Sequence, residues 1–342
     1  MVRYLKSAFT ATLLLAGSIV NAQGYDFSDL TALLEKHKKD LGNDFVVIVN
    51  KDGKDIYKKE FGELKATMQE PVGASSNWLT AALVMHFVDE GKLSLDDKIG
   101  DYLPIYGSYS KGYITLRQCL SHTTTIESDP PSIRTVLKKK KFETLEDETN
   151  SYAKDRNMMG KQGTQFYYGQ VGPAIAGRIL EVVSKRNFDR LMRERIGKGL
   201  GWRRTTFMSD GLLAENPFSG GKTTADDYMK FLNMLLNKGM FNGKQVISEK
   251  SVEEILKMQT GNARIAYTLP VAQGAAYGLG CFILPKDDNN ADEVFFSPSL
   301  SGTWPWINRT KRYSAIIFTK GDAPDAKRVI MEEIRQVIEQ KL

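Results

Sequence analysis

The sequence predicts an α+β fold: an antiparallel sheet flanked by helices from both chain ends, with a mainly helical block inserted in its middle. Three observations predict it. Strand-like segments lie near both ends of the chain, helical periodicity fills the centre, and an amphipathic helix opens and closes the folded part.

At the start, Phe27, Leu30, Leu33 and Leu34 recur at helical spacing over residues 27–41. The apolar run Phe45-Val46-Val47-Ile48-Val49 follows, then residues 55–61, joined through Asp52-Gly53, a dipeptide that favours tight β-hairpins. Helical patterns occupy 77–90, 115–120, 171–184, 188–196 and 224–236. Strand character returns at 277–284, 293–296, 303–308 and 313–319, and a last amphipathic helix is expected over 325–342. The sheet part is thus expected at about 23–70 and 240–342, and the helical part at about 71–239. The stretch 128–163, with Pro130-Pro131, reads as a variable excursion within the helical block.

At 342 residues with 42% apolar content, the chain can bury a sizeable core. Its beginning, with Arg3 and Lys6, an apolar run over 8–20 and small residues ending at Ala22, reads as a cleavable secretory signal over 1–22. Residues 23–342 would form the mature protein, periplasmic or secreted. The apolar run is shorter than the roughly 20 residues a membrane span needs, and no stable membrane insertion is expected. The formal charge of +6 is too small to argue for nucleic acid. The lysine run 138–141 reads as a solvated face. Cys119 and Cys281 sit in apolar surroundings and read as two buried single thiols, although an oxidising compartment would permit a bridge. The three histidines, His37, His86 and His122, have no metal-site spacing, and neither a phosphate loop nor a dinucleotide fingerprint occurs, so no cofactor is expected.

Residues 78–104, from Trp78-Leu79-Thr80-Ala81 to Asp101-Tyr102-Leu103-Pro104, resemble the long helix and exit loop of the serine β-lactamase and penicillin-binding-protein family. The resemblance continues in Leu120-Ser121-His122-Thr123, in Tyr168-Gly169-Gln170, in Ser219-Gly220-Gly221-Lys222-Thr223 and in Gly302-Thr303-Trp304-Pro305-Trp306. It implies a β-lactamase/transpeptidase-like fold and a serine acyl-transfer site, with ligands such as cell-wall peptides, small esters or amides, or a protein partner. In that family a Ser attacks a carbonyl and a Lys one helical turn later helps remove its proton. Here the slot reads Ala74-Ser75-Ser76-Asn77. Ala74 has no oxygen to acylate, and the Asn77 amide is no base near neutral pH. Losing such a pair costs on the order of 10⁶ in turnover.

The family's Tyr-x-Asn falls on Tyr168-Gly169-Gln170, which keeps the phenol and lengthens the amide. Its strand motif of cation and glycine falls on Ser297-Pro298-Ser299, which keeps neither, and Pro298 lacks a backbone donor where part of an oxyanion hole would lie. The resemblance therefore implies a catalytically degenerate member, with Ser75, Tyr168, Gln170, Ser297, Ser299 and Trp304 as candidate walls of the old cleft. The alternative is a working serine hydrolase with a rewired nucleophile at Ser75 or Ser76. Each residue turns a helix by about 100°, which points those hydroxyls away from the direction of Ala74. Ser108-Tyr109-Ser110-Lys111 imitates the Ser-x-x-Lys spacing but falls in a connecting loop. Lys222-Thr223 imitates the strand motif just before a helix capped near Thr224.

Overall fold

The computed structural model of the protein describes residues 24–130, 142–209, 211, 213–286, 291–300, 302–320 and 327–342. The expected leader at 1–22 and the lysine run at 138–141 lie outside the described residues.

The hairpin predicted at Asp52-Gly53 is present. Strands β1 (Phe45–Lys51) and β2 (Lys54–Phe61) pair antiparallel. Both turn residues hold positive φ, 51° at Asp52 and 80° at Gly53, the backbone that a two-residue hairpin turn requires. Strand β1 is apolar at consecutive positions because both of its faces are covered. Val46 and Ile48 pack into the core on one side, Phe45, Val47 and Val49 into the core on the other.

The C-terminal strands complete the sheet: β5 (Ala276–Tyr277), β6 (Phe282–Ile283), β7 (Val294–Phe296), β8 (Trp304–Asn308) and β9 (Tyr313–Thr319). With the strand order β2-β1-β9-β8-β7-β6-β5, all pairings are antiparallel. Two further short strands, β3 (Gln165–Tyr167) and β4 (Arg264–Tyr267), form a separate parallel pair outside this sheet. The single strand expected at 277–284 is broken by Gly278 and Gly280 into β5 and β6.

One face of the sheet carries α1 (Ser28–Lys36) and the C-terminal helix α7 (Lys327–Lys341), whose Leu30, Leu34, Ile334 and Ile338 are fully buried. Lys341 and Asp29 pair at 2.6 Å across them. The opposite face packs on the helical block, built around α2 (Ser76–Asp89), in which 11 of 14 residues are buried. A helix enclosed on all sides needs no amphipathic stripe, and α2 has none.

Around α2 lie α3 (Leu116–Leu120), α4 (Leu145–Asp155), α5 (Val171–Ser184) and α6 (Ala225–Leu236). Thr115 and Gln118 form a reciprocal capping box at the start of α3, and Thr224 caps α6 by accepting the Asp227 N–H. Helix α5 crosses α3 at a glycine: a Cβ on Gly172 would stand 2.1 Å from the Cys119 carbonyl oxygen. Helix α4 lies within the stretch read as a variable excursion. The expected helix at 188–196 runs as α-helix only over Phe188–Leu191 before widening to a π-turn over Met192–Gly197.

Candidate active site

The sheet edge and the helical block meet at the N-terminus of α2. A short 3₁₀ turn, Gly73–Ser75, delivers the chain into the helix and places Ala74 at the junction, 7% exposed. One turn later Asn77 points at the same spot. Its Nδ2 donates to the Ala74 carbonyl at 3.1 Å and to the Tyr168 hydroxyl at 3.1 Å. The fold therefore brings Ala74, Asn77 and Tyr168 together from two distant parts of the chain.

Tyr168 is held between β3 and α5, its N–H donating to the Tyr267 carbonyl at 3.1 Å. The ring is fully buried among His122, Phe218, Tyr277 and Phe282, with centroids 4.7 to 5.8 Å away. Burial pushes its phenol well above the usual range, against the smaller opposing effect of the Asn77 hydrogen bond. The triad thus consists of a methyl group, an amide and a neutral phenol. It can donate and accept hydrogen bonds, but it holds no nucleophile and no base.

The two serines beside Ala74 are committed elsewhere. Ser75 is fully buried, its Oγ donating to the Ser297 carbonyl at 2.6 Å, while its own carbonyl accepts from Tyr228 at 2.8 Å. Ser76 is equally buried; its Oγ donates to the Gly73 carbonyl at 2.6 Å and accepts the Gly221 N–H at 3.0 Å. Both hydroxyls fasten α2 to its surroundings. Ser75 is an interior tie rather than a cleft wall.

The segment Ser297-Pro298-Ser299 follows β7 and borders Ser75. The Ser297 N–H donates to the Pro305 carbonyl at 3.2 Å, and its hydroxyl donates to the Gly280 carbonyl at 3.1 Å. Pro298 has no N–H. The Ser299 N–H closes a turn onto the Thr303 carbonyl at 2.9 Å. Every backbone donor of the segment is absent or already used, so none is left to receive a developing oxyanion.

Gln170 stands half-buried at the first boundary of α5, where its side chain does not cap the helix. Trp304, expected as a wall of this cleft, belongs to another layer. On β8 it shares a face with Trp306, both packing toward α7, and it stacks on Phe296 at 5.5 Å with planes 5° apart. The correction follows from the two-residue period of a strand: Ile307, on the alternate face, is the residue that turns toward the helical block.

His122 is buried beside Tyr168 and engaged through both ring nitrogens. Its backbone is left-handed at φ 55°. Nδ1 accepts the Gly169 N–H at 3.4 Å, which leaves the proton on Nε2 to bond the Tyr277 hydroxyl at 3.0 Å. Burial pushes the imidazole down to about 3, so it stays neutral. Lys111 of the chance Ser-x-x-Lys match points away from the site, its ammonium donating to the carbonyls of Ala153 and Arg156 at the end of α4. Lys222-Thr223 forms a two-residue strand against Glu70-Pro71.

Cys119 and Cys281 are both free and fully buried, and burial pushes both thiols up. Among the described residues no group of three His, Cys, Asp or Glu side chains could hold a metal ion. No described helix is long and apolar enough to cross a membrane.

Sequence reasoning missed Gly280. At φ 78° it brings the turn between β5 and β6 against α2, where a Cβ would stand 2.5 Å from the Asn77 carbonyl oxygen. The closely spaced glycines of Tyr277-Gly278-Leu279-Gly280 were the available signal.

A family model described as Beta-lactamase matches residues 42–339. A crystal structure of a putative beta-lactamase from Bacteroides dorei superposes with a TM-score of 0.81 at 26% identity, covering 92% of this chain and 100% of that one. An octameric penicillin-binding protein homologue from Pyrococcus abyssi shares the fold at 18% identity, with a TM-score of 0.72 over 91% of this chain and 77% of that one. A putative D-alanyl-D-alanine carboxypeptidase from Escherichia coli is 26% identical over 183 residues, 47% of this chain and 42% of that protein. Penicillin-binding protein 4 of Amycolatopsis lactamdurans is 26% identical over 210 residues, 52% and 54% of the two chains. The matched stretches thus span about half the length of these curated relatives.

Proposed function

The chain belongs to the beta-lactamase family, and from that premise we propose that it is a non-catalytic member, retained for binding rather than for acyl transfer. The observation that carries this reading is the Ala74, Asn77 and Tyr168 cluster, assembled at hydrogen-bonding distance with no group that could attack a carbonyl. The commitment of every backbone donor in 297–299 supports it independently, because a site without oxyanion donors would be weak even if a hydroxyl were supplied. A rewired nucleophile draws no support from Ser75 or Ser76, whose hydroxyls are enclosed and engaged.

The ligand class proposed is the one the relatives' names suggest, a cell-wall peptide ending in D-alanine, met after export to the periplasm or beyond. Other ligands, a small ester or amide or a protein partner, would use the same surroundings, bounded by Gln170 and the 297–299 turn.

The test has two arms on the chain from Gln23 onward. Incubated with a fluorophosphonate probe, a chromogenic cephalosporin and an activated ester, the protein is expected to gain no acyl or phosphonyl mass. A labelled protein whose labelling disappears in Ser75→Ala or Ser76→Ala would overturn the reading. In the second arm, a D-alanyl-D-alanine tripeptide is expected to raise the melting temperature, since a ligand that binds only the folded state stabilises it.

A further inference from the structure

Trp304 lines a separate pocket of about 250 Å³ between α7 and the far strands of the sheet, and it shares no lining residue with the Ala74, Asn77 and Tyr168 cluster. Its floor is apolar: Val294, Phe296, Trp306 and Met331 are all buried. The Trp306 indole N–H is already given to the Tyr313 hydroxyl at 2.9 Å, so the ring presents only carbon to the cavity. Trp304, half-buried, extends the Phe296 stack along the wall.

The charged groups of this pocket come from α7, where Arg328, Glu332 and Arg335 follow one another at spacings of four and three. Arg328 gives Nε to Glu332 at 2.9 Å and Nη1 to the Gln273 carbonyl at 3.1 Å. Arg335 gives Nη1 to Glu339 at 2.7 Å. Among the described residues, Arg328 Nη2 and the Nε and Nη2 of Arg335 have no protein acceptor. Glu339, which does not line the pocket, is shared with Tyr313 and Asn308. Each guanidinium thus already has one carboxylate partner, Arg328 with Glu332 and Arg335 with Glu339, and what they offer a ligand is their remaining N–H donors.

An apolar, aromatic floor beside guanidinium donors not taken up by their carboxylate partners fits a small amphipathic acid. We propose that this pocket is a second ligand site that binds a small carboxylate with an aromatic or short aliphatic body, the body lying against Trp304 and Phe296 and the carboxylate on Arg328 and Arg335. A cavity of about 250 Å³ matches a ligand of one ring with a short tail. The inference is independent of whether the Ala74 site is catalytic.

The probe is hydrocinnamate, a phenyl ring on a short carboxylate tail, titrated against the full chain with tryptophan fluorescence as the readout. A saturable change with a Kd on the order of 0.1–1 mM is expected, in keeping with so small a ligand. Hydrocinnamamide and phenethylamine should bind at least tenfold more weakly. Arg328→Gln, at a half-buried position, should weaken hydrocinnamate about tenfold, and Ala275→Leu, which fills the pocket without changing its charge, should abolish the response. Should Ala275→Leu fail to fold by circular dichroism, Arg328→Gln carries the test alone. No saturable response, equal binding of acid, amide and amine, or an unchanged Kd in Arg328→Gln would each overturn the proposal.

Discussion

Restoring the missing pair, Ala74→Ser with Asn77→Lys, should leave a poor hydrolase, and the structure says by how much. Asn77 Nδ2 already lies 3.1 Å from both the Ala74 carbonyl and the Tyr168 hydroxyl, so the two positions face one another at working distance. A lysine there would be desolvated with no carboxylate partner among the groups described at the site, which lowers its pKa and favours its use as a base. What the double variant still lacks is the oxyanion hole. Pro298 has no N–H and the Ser299 N–H is held by the Thr303 carbonyl at 2.9 Å. Loss of one such donor costs on the order of 10² to 10³ in turnover, about 2.7 to 4 kcal/mol. The expected result is that adding Pro298→Gly and Ser299→Gly to the double variant raises its turnover by on the order of 10². The assay is steady-state hydrolysis of an activated ester and a chromogenic cephalosporin, with thermal melts to check that each variant is folded. Equal rates for the double and quadruple variants, with both folded, would refute the reasoning about 297–299.

Two further outcomes follow from the packing. The imidazole of His122 is pushed from 6.5 down to about 3, so below pH 6.5 the unfolded chain takes up a proton that the folded one refuses; the stability present above pH 6.5 is lost as pH falls through that window. Urea unfolding at stepped pH should show this contribution reaching roughly 3 kcal/mol by pH 4; His122→Gln should flatten the slope there, and an identical slope in the variant would count against the assignment. Gly172→Ala should destabilise by roughly 1–3 kcal/mol despite alanine's better helix propensity, because its Cβ would meet the Cys119 carbonyl at 2.1 Å. A raised melting temperature would mean that α3 and α5 separate more easily than the packing suggests.

Much of the architecture was legible because local chemistry and global position agreed. Asp52-Gly53 supplied the turn, the apolar run 45–49 announced the first strand of the hairpin, and Thr224 announced a helix start. Helix α4 was hidden by its polarity: its sequence Leu145–Asp155 keeps Leu145, Glu148, Thr149, Tyr152 and Ala153 inward, and the carboxylate of Glu148 and the hydroxyl of Thr149 break the apolar pattern. The division of 277–284 was written in Gly278 and Gly280, whose role became clear only against α2. At the candidate site, sequence comparison located Ala74, Asn77 and Tyr168, since positions on a helix and a turn keep their order. It could not foresee how fully Tyr168 would be enclosed, nor that Trp304 would face α7. Those properties depend on which side of a strand meets which layer, and a shift of one residue reverses them.

The neutral amide at Asn77 also bears on how readily this position could accept a charged side chain. An ammonium at a position only 2% exposed would have to shed its water inside an aromatic enclosure, and a substitution of that kind weakens a fold before it offers any advantage. With Asn77 in place the first turn of α2 has no ionisable side chain, and Ser75 and Ser76 fasten it to Ser297 and Gly221. A lysine at position 77 would therefore carry its cost in stability alone, because the Ser75 and Ser76 fastenings involve neither Ala74 nor Asn77.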